Sequence, residues 1–126
     1  MKFLLATFLL FANLSFLQEI DINALKKDPT LIQYKKIFNE MKDAAVTGKY
    51  KLPSNAAEIQ REISKSPSKQ NMKKLYRKAG MKNADEYIDK LFLQSTLMVE
   101  FLKKHPEITR LEQQKRLEVI GKLLRD

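Results

Sequence analysis

The 126-residue chain has no cysteine, no tryptophan, a single histidine and only three glycines. Without cysteine there are no disulfides, no thiolate metal ligands and no lipid anchor on a cysteine after the leader. One histidine and no cysteine cannot assemble a zinc site of the usual kind within one chain, and no cofactor or metal is expected. Gly48, Gly80 and Gly121 are too far apart for a glycine-rich phosphate loop. A Gly-x-Ser-x-Gly nucleophile motif is missing too. His105 precedes Pro106 at a helix boundary beside Lys103, Lys104 and Glu107, and reads as an exposed loop residue rather than a general base. Glu86 with Glu100, and Glu58 with Glu62, are formally available as carboxylate pairs. Their neighbours are polar or basic, however, and no apolar pocket is evident that would raise the pKa of one member. The chain is therefore read as a non-enzyme.

No alternating strand pattern is present, and the first eighteen residues, MKFLLATFLLFANLSFLQ, stand apart from the rest. Residues 3–17 form a fifteen-residue apolar stretch behind one early lysine, interrupted by Thr7, Asn13 and Ser15. A helix crossing the hydrocarbon core needs roughly 20 mainly apolar residues, so this segment reads as a secretory signal peptide rather than a span. The cleavage position is open, since no small-x-small pattern precedes Gln18 and a cut after Ser15 or near Gln18 fits equally. A tether left uncleaved is the alternative. Export without disulfides fits a bacterial periplasm better than a eukaryotic extracellular space.

The expected organisation is thus a leader over residues 1–18 and one helical domain over residues 19–126, all-α, a small bundle of four to five helices. Asp28-Pro29 is a helix start, with an acceptor at the N-cap and proline at the first helical position. Leu31, Tyr34, Phe38, Met41 and Ala45 recur at helical spacing, widened by Ile37 and Ala44, and place the first helix up to about residue 45. Ser54 or Asn55 caps a short second helix with Ala56, Ile59 and Ile63 inward; Ser66-Pro67-Ser68 ends it. Ser68 opens a third helix carrying Met72, Leu75, Tyr76 and Ala79 on one face. Gly80 sits at its left-handed C-terminal cap, with Met81 supplying the accompanying apolar contact. Asn83 caps the longest helix, in which eight of the twelve residues 91–102 are apolar, the pattern of a central element. Pro106 breaks it. A last helix is expected from Pro106 almost to the end, strengthened by Glu112–Arg116 and Glu118–Lys122 pairs at i, i+4.

Charge is unevenly spread. The chain carries 24 Lys and Arg against 15 Asp and Glu, net +9, and residues 63–84 contain seven bases and no acid. These are Lys65, Lys69, Lys73, Lys74, Arg77, Lys78 and Lys82. At 100° per residue the third helix sets Lys69, Lys73, Lys74, Arg77 and Lys78 opposite its apolar face. Like charges four residues apart repel, so helix stability alone does not select them. A contiguous basic face draws an anionic partner by raising the local concentration of anions. Lipid headgroups, in a peripheral membrane contact, an anionic polysaccharide or an acidic protein all qualify. The competing explanations are a merely solvated surface and intramolecular pairing with Asp85, Glu86 and Asp89, which begin the next helix.

Residues 74–91, KLYRKAGMKNADEYIDKL, resemble the helix-turn-helix of bacterial repressors, with Ala79-Gly80-Met81 in the turn. The resemblance implies a second helix seated in the major groove. That helix would bring Asp85, Glu86 and Asp89 against phosphates, and with the export signal this argues against nucleic acid as the partner. The last helix offers a different surface. Ile108, Leu111, Val119 and Leu123 lie on one side and Leu117, Ile120 and Leu124 on a second, so that one side packs on the core while the other is either buried in a groove or free for association. The sequence thus points to an exported interaction module with a basic helix face, or alternatively to a structural or chaperone-like envelope protein that associates through apolar surface.

Overall fold

The computed structural model describes residues 20–125; the leader lies outside the described residues. Seven helices and no strand occur among them. They are α1 (Ile22–Leu25), α2 (Pro29–Thr47), α3 (Ala56–Lys65), α4 (Lys69–Lys78), α5 (Ala84–Lys104), α6 (Pro106–Thr109) and α7 (Gln113–Leu124). Where four to five helices are expected, the described residues form five helices of ten residues or more and two single turns, α1 and α6. No described helix is long and apolar enough to cross a membrane.

The spine is the pair α2 and α5, which run antiparallel. The end of α2 and the start of α5 meet in one buried cluster through Ala44, Ala84 and Ile88. The start of α2 and the end of α5 meet in a second through Leu31 and Phe101. Each cluster is completed from a different part of the chain. Ile59 and Ile63 of α3, Tyr76 of α4, and the loop residues Tyr50 and Met81 close the first. Leu25, Ile108 and Leu123 close the second, around a Phe101 with no exposed surface. The helices at the two ends therefore complete separate cores on one shared antiparallel pair.

Local chemistry explains most boundaries. The Asp28 carboxylate accepts from the Thr30 amide at 2.8 Å, and Pro29 occupies the first position of α2. Ser68 Oγ accepts from the Asn71 amide at 3.0 Å and starts α4. The end of α4 is a Schellman motif. The Met81 amide donates to the Tyr76 carbonyl at 3.1 Å and the Gly80 amide to Arg77 at 3.0 Å, with Gly80 at φ 84° and the buried Met81 and Tyr76 in one cluster. Asn83 precedes α5 as expected but does not cap it with its side chain. It sits at φ 57°, a conformation asparagine tolerates, and its amide nitrogen donates instead to the Lys49 carbonyl at 3.2 Å, tying the α2–α3 loop to the α4–α5 turn.

Two expectations are corrected. The buried edge of α2 is Leu31, Ile37 and Ala44, while Phe38 and Ala45 are exposed. Tyr34 and Phe38 stack on the rim with centroids 6.2 Å apart, because α5 packs against the Ile37–Ala44 edge of the broad apolar stripe. The second correction concerns the C-terminal helix, which is not continuous from Pro106. It breaks at Arg110-Leu111-Glu112, with Glu112 in an extended conformation before α7. The break lets Ile108, Leu111 and Leu123 all turn inward. Arg116 stabilises it by donating to the carbonyls of Thr109 at 3.3 Å and Leu111 at 3.1 Å instead of pairing with Glu112. No Glu118–Lys122 ion pair forms among the described residues either.

Candidate anionic-partner surface

The seven bases of the acid-free window divide into two groups when α4 packs on α5. Lys69 and Lys73 place their ammonium groups 2.8 and 2.9 Å from one carboxylate oxygen of Asp89, and Arg77 Nε lies 3.0 Å from Asp85. Lys69 also stands over the Phe92 ring at 5.8 Å. This row points at the neighbouring helix because positions 69, 73 and 77 stack along one line of α4, and Asp85 and Asp89 stack along the facing line of α5. Hydrogen bonds from Lys69 and Lys73 hold the Asp89 carboxyl below the usual carboxylate range. Lys65 pairs with Glu62 of its own helix at 3.1 Å. The intramolecular pairing that the sequence allows is thus realised for the 69–73–77 row.

Lys74, Lys78 and Lys82 form the second group. All three are exposed and make no ion pair among the described residues. Lys74 and Lys78 are successive positions on the outer line of α4, and Lys82 follows just past the Schellman turn. Lys78 borders a groove that also contains Glu58 and Glu62, while Lys82 borders a second groove lined as well by Lys51, Leu52, Pro53, Gly80 and Met81. Lys51 is an addition that the helix-based reading misses, since it lies in a loop remote in sequence. Its signal is the stretch 44–57, a second segment without an acid. Glu86, expected as a partner of the α4 bases, belongs instead to Lys49 at 3.0 Å and Lys90 at 3.6 Å. The Lys49 hydrogen bond lowers its carboxyl pKa.

The other polar cluster lies at the opposite end of the spine. Asp28, with only 10% of its side chain exposed, accepts from Lys104 Nζ at 2.7 Å and lies 2.7 Å from His105 Nε2. Lys104 also donates to Thr30 Oγ1 at 2.8 Å, and His105 Nδ1 is 3.3 Å from Glu107. Burial pushes the Asp28 carboxyl up, but the hydrogen bonds from Lys104, His105 and the Thr30 amide, with the Lys104 charge, outweigh it and hold the group well below the usual carboxylate range. His105 is therefore not the exposed loop residue the sequence suggests. It is half-buried against Phe101, with ring centroids 4.8 Å apart, and both its nitrogens face carboxylates. The cluster clamps the start of α2 to the end of α5.

Among the described residues no three His, Asp or Glu side chains converge to hold a metal ion. No family model, no curated protein and no solved structure matches this chain, so its surface chemistry stands by itself.

Proposed function

We propose that this protein is an exported, non-catalytic interaction module that binds an anionic partner through Lys74, Lys78 and Lys82. The observation that carries the proposal is the division of the basic window. Packing consumes Lys69, Lys73 and Arg77 in ion pairs, while three neighbouring lysines are left in solvent without an acid partner. Exposed charges of one sign on adjoining turns raise the local concentration of anions and accelerate encounter. Binding of this kind weakens as salt screens it, over a Debye length of about 8 Å at physiological ionic strength. Retention of the full chain on an immobilised sulfated polysaccharide, eluted by salt, tests the proposal. The parent is retained and Lys74→Gln/Lys78→Gln/Lys82→Gln elutes markedly earlier; equal elution contradicts it. The export half of the proposal rests on the leader's length and flanks.

A second reading is favoured by one observation on α7. Leu117 is 62% exposed, beside the half-buried Ile120 and Leu124, whereas Leu123 is buried. This leaves the second apolar side of the helix open for association with a copy or another envelope protein. Sedimentation of the parent against Leu117→Lys decides it, a dimer that the substitution dissociates being the expected result and a monomeric parent the contrary one.

A further inference from the structure

Resting on the anionic-partner reading, we infer that the partner is an anionic lipid bilayer, met by the end of the molecule where the α2–α3 loop and the α4–α5 turn lie together. Two acid-free segments, residues 44–57 and 63–84, converge there. The Asn83 side chain fastens one to the other through the Lys49 carbonyl. Lys51 and Lys82 border the groove between them, and neither forms an ion pair among the described residues. Leu52, which lines the same groove as these cations, is 51% exposed, and Val46, two residues before the groove-lining Gly48, is 82% exposed.

The combination separates a bilayer from other polyanions. A polysaccharide or an acidic protein uses the lysines, and gains nothing from an exposed leucine on the same groove. A bilayer uses both, since cations sit among the headgroups while the apolar side chain enters the acyl boundary. The two loops are also well held for such a task. The Tyr50 amide donates to the Ala44 carbonyl at 3.2 Å, Tyr50 is buried, and the Schellman turn fixes Gly80 and Met81. Leu52 is therefore presented by an ordered base, and little ordering is needed on contact.

Because the chain has no cysteine, Leu52→Cys gives a single attachment site for an environment-sensitive fluorophore. Leu93→Cys, 41% exposed on α5, is the reference. The full chain is titrated with vesicles of phosphatidylcholine alone and of phosphatidylcholine with phosphatidylglycerol. Emission at position 52 shifts to the blue, and is quenched by spin-labelled acyl chains, only with the anionic vesicles; position 93 does not respond. Adding Lys51→Gln and Lys82→Gln raises the lipid needed for half the shift about 30-fold, at roughly fivefold per lysine. Identical responses at 52 and 93, or a signal at 52 indifferent to the two lysines, overturn the bilayer inference. If position 52 stays silent while the chain is still retained on the sulfated polysaccharide, the bilayer is wrong and the anionic-partner reading stands. Loss of both responses removes both.

Discussion

Replacing Asp28 removes a charged link between the start of α2 and the end of α5. Three interactions are lost together. The N-cap bond to the Thr30 amide contributes about 1 kcal/mol in comparable helices. The bonds from Lys104 and His105 are made to a charged carboxylate, for which about 1.5–3 kcal/mol applies. Lys104 is nearly half exposed and regains water when released, and His105 keeps Glu107, so the two bonds together contribute only about the lower end of that range. Asp28→Ala is therefore expected to cost about 2–3 kcal/mol. With a urea slope of roughly 1–3 kcal/mol per molar, the unfolding midpoint falls by about 1–3 M. Asp28→Asn keeps a capping oxygen, loses the charge, and should cost about half as much. The pH dependence supplies the sharper half of the test. The folded carboxyl is depressed, so its stabilisation is present above the unfolded-state pKa of about 3.9 and is lost as pH falls through the folded value. The gap between parent and Asp28→Asn is hence constant above about pH 5 and narrows by about 1 kcal/mol by about pH 3. A gap under about 0.5 kcal/mol at neutral pH, or one that does not narrow in acid, refutes the clamp.

The same glycine-to-alanine exchange should act with opposite signs at two positions. Gly121 lies within α7 with nothing within 4 Å of an added Cβ, so Gly121→Ala raises stability by about 0.8–1 kcal/mol. Gly80→Ala meets equally open space but a φ of 84°, and costs about 1–2 kcal/mol; thermal melts of the two variants check both signs. Phe101→Ala, at the centre of the second cluster, should cost about 3–5 kcal/mol and abolish cooperative melting, whereas Phe38→Ala on the rim costs far less. Mass analysis of the N-terminus in cell fractions should find a chain starting after Ser15 or near Gln18 outside the cytoplasm; an intact Met1 in the cytosolic fraction contradicts export.

What the sequence reveals follows from how local the deciding interactions are. Asp28-Pro29, Ser68 and Gly80 act on backbone atoms within a few residues, and each does what its type dictates. Asn83 does not, because its side chain answers to a carbonyl 34 residues away. The face of α2 is blurred for a related reason. Seven apolar positions form a stripe wider than one contact, and only the docking of α5 decides that Ile37 faces inward and Phe38 outward. The break at Arg110-Leu111-Glu112 carries neither proline nor glycine; it arises because Ile108, Leu111 and Leu123 are all buried, which one continuous helix does not allow. For the basic surface, the acid-free window identifies the segment, and the four-residue spacing of Asp85 and Asp89 identifies the competitor. Which lysines escape depends on the rotation of α4 about its axis, a tertiary quantity. Lys51 and the His105 cluster come from residues distant in sequence, and no helical periodicity points to them.

The central claim is that position rather than total charge makes the surface, and two variants of identical net charge test it. Lys74→Gln/Lys78→Gln/Lys82→Gln removes the unpaired cations; Lys69→Gln/Lys73→Gln/Arg77→Gln removes those bound to Asp89 and Asp85. Salt elution from an immobilised sulfated polysaccharide should fall sharply for the first and much less for the second, whose thermal melting should instead decline. Equal losses of retention would contradict the account, leaving a general attraction of a chain of net charge +9.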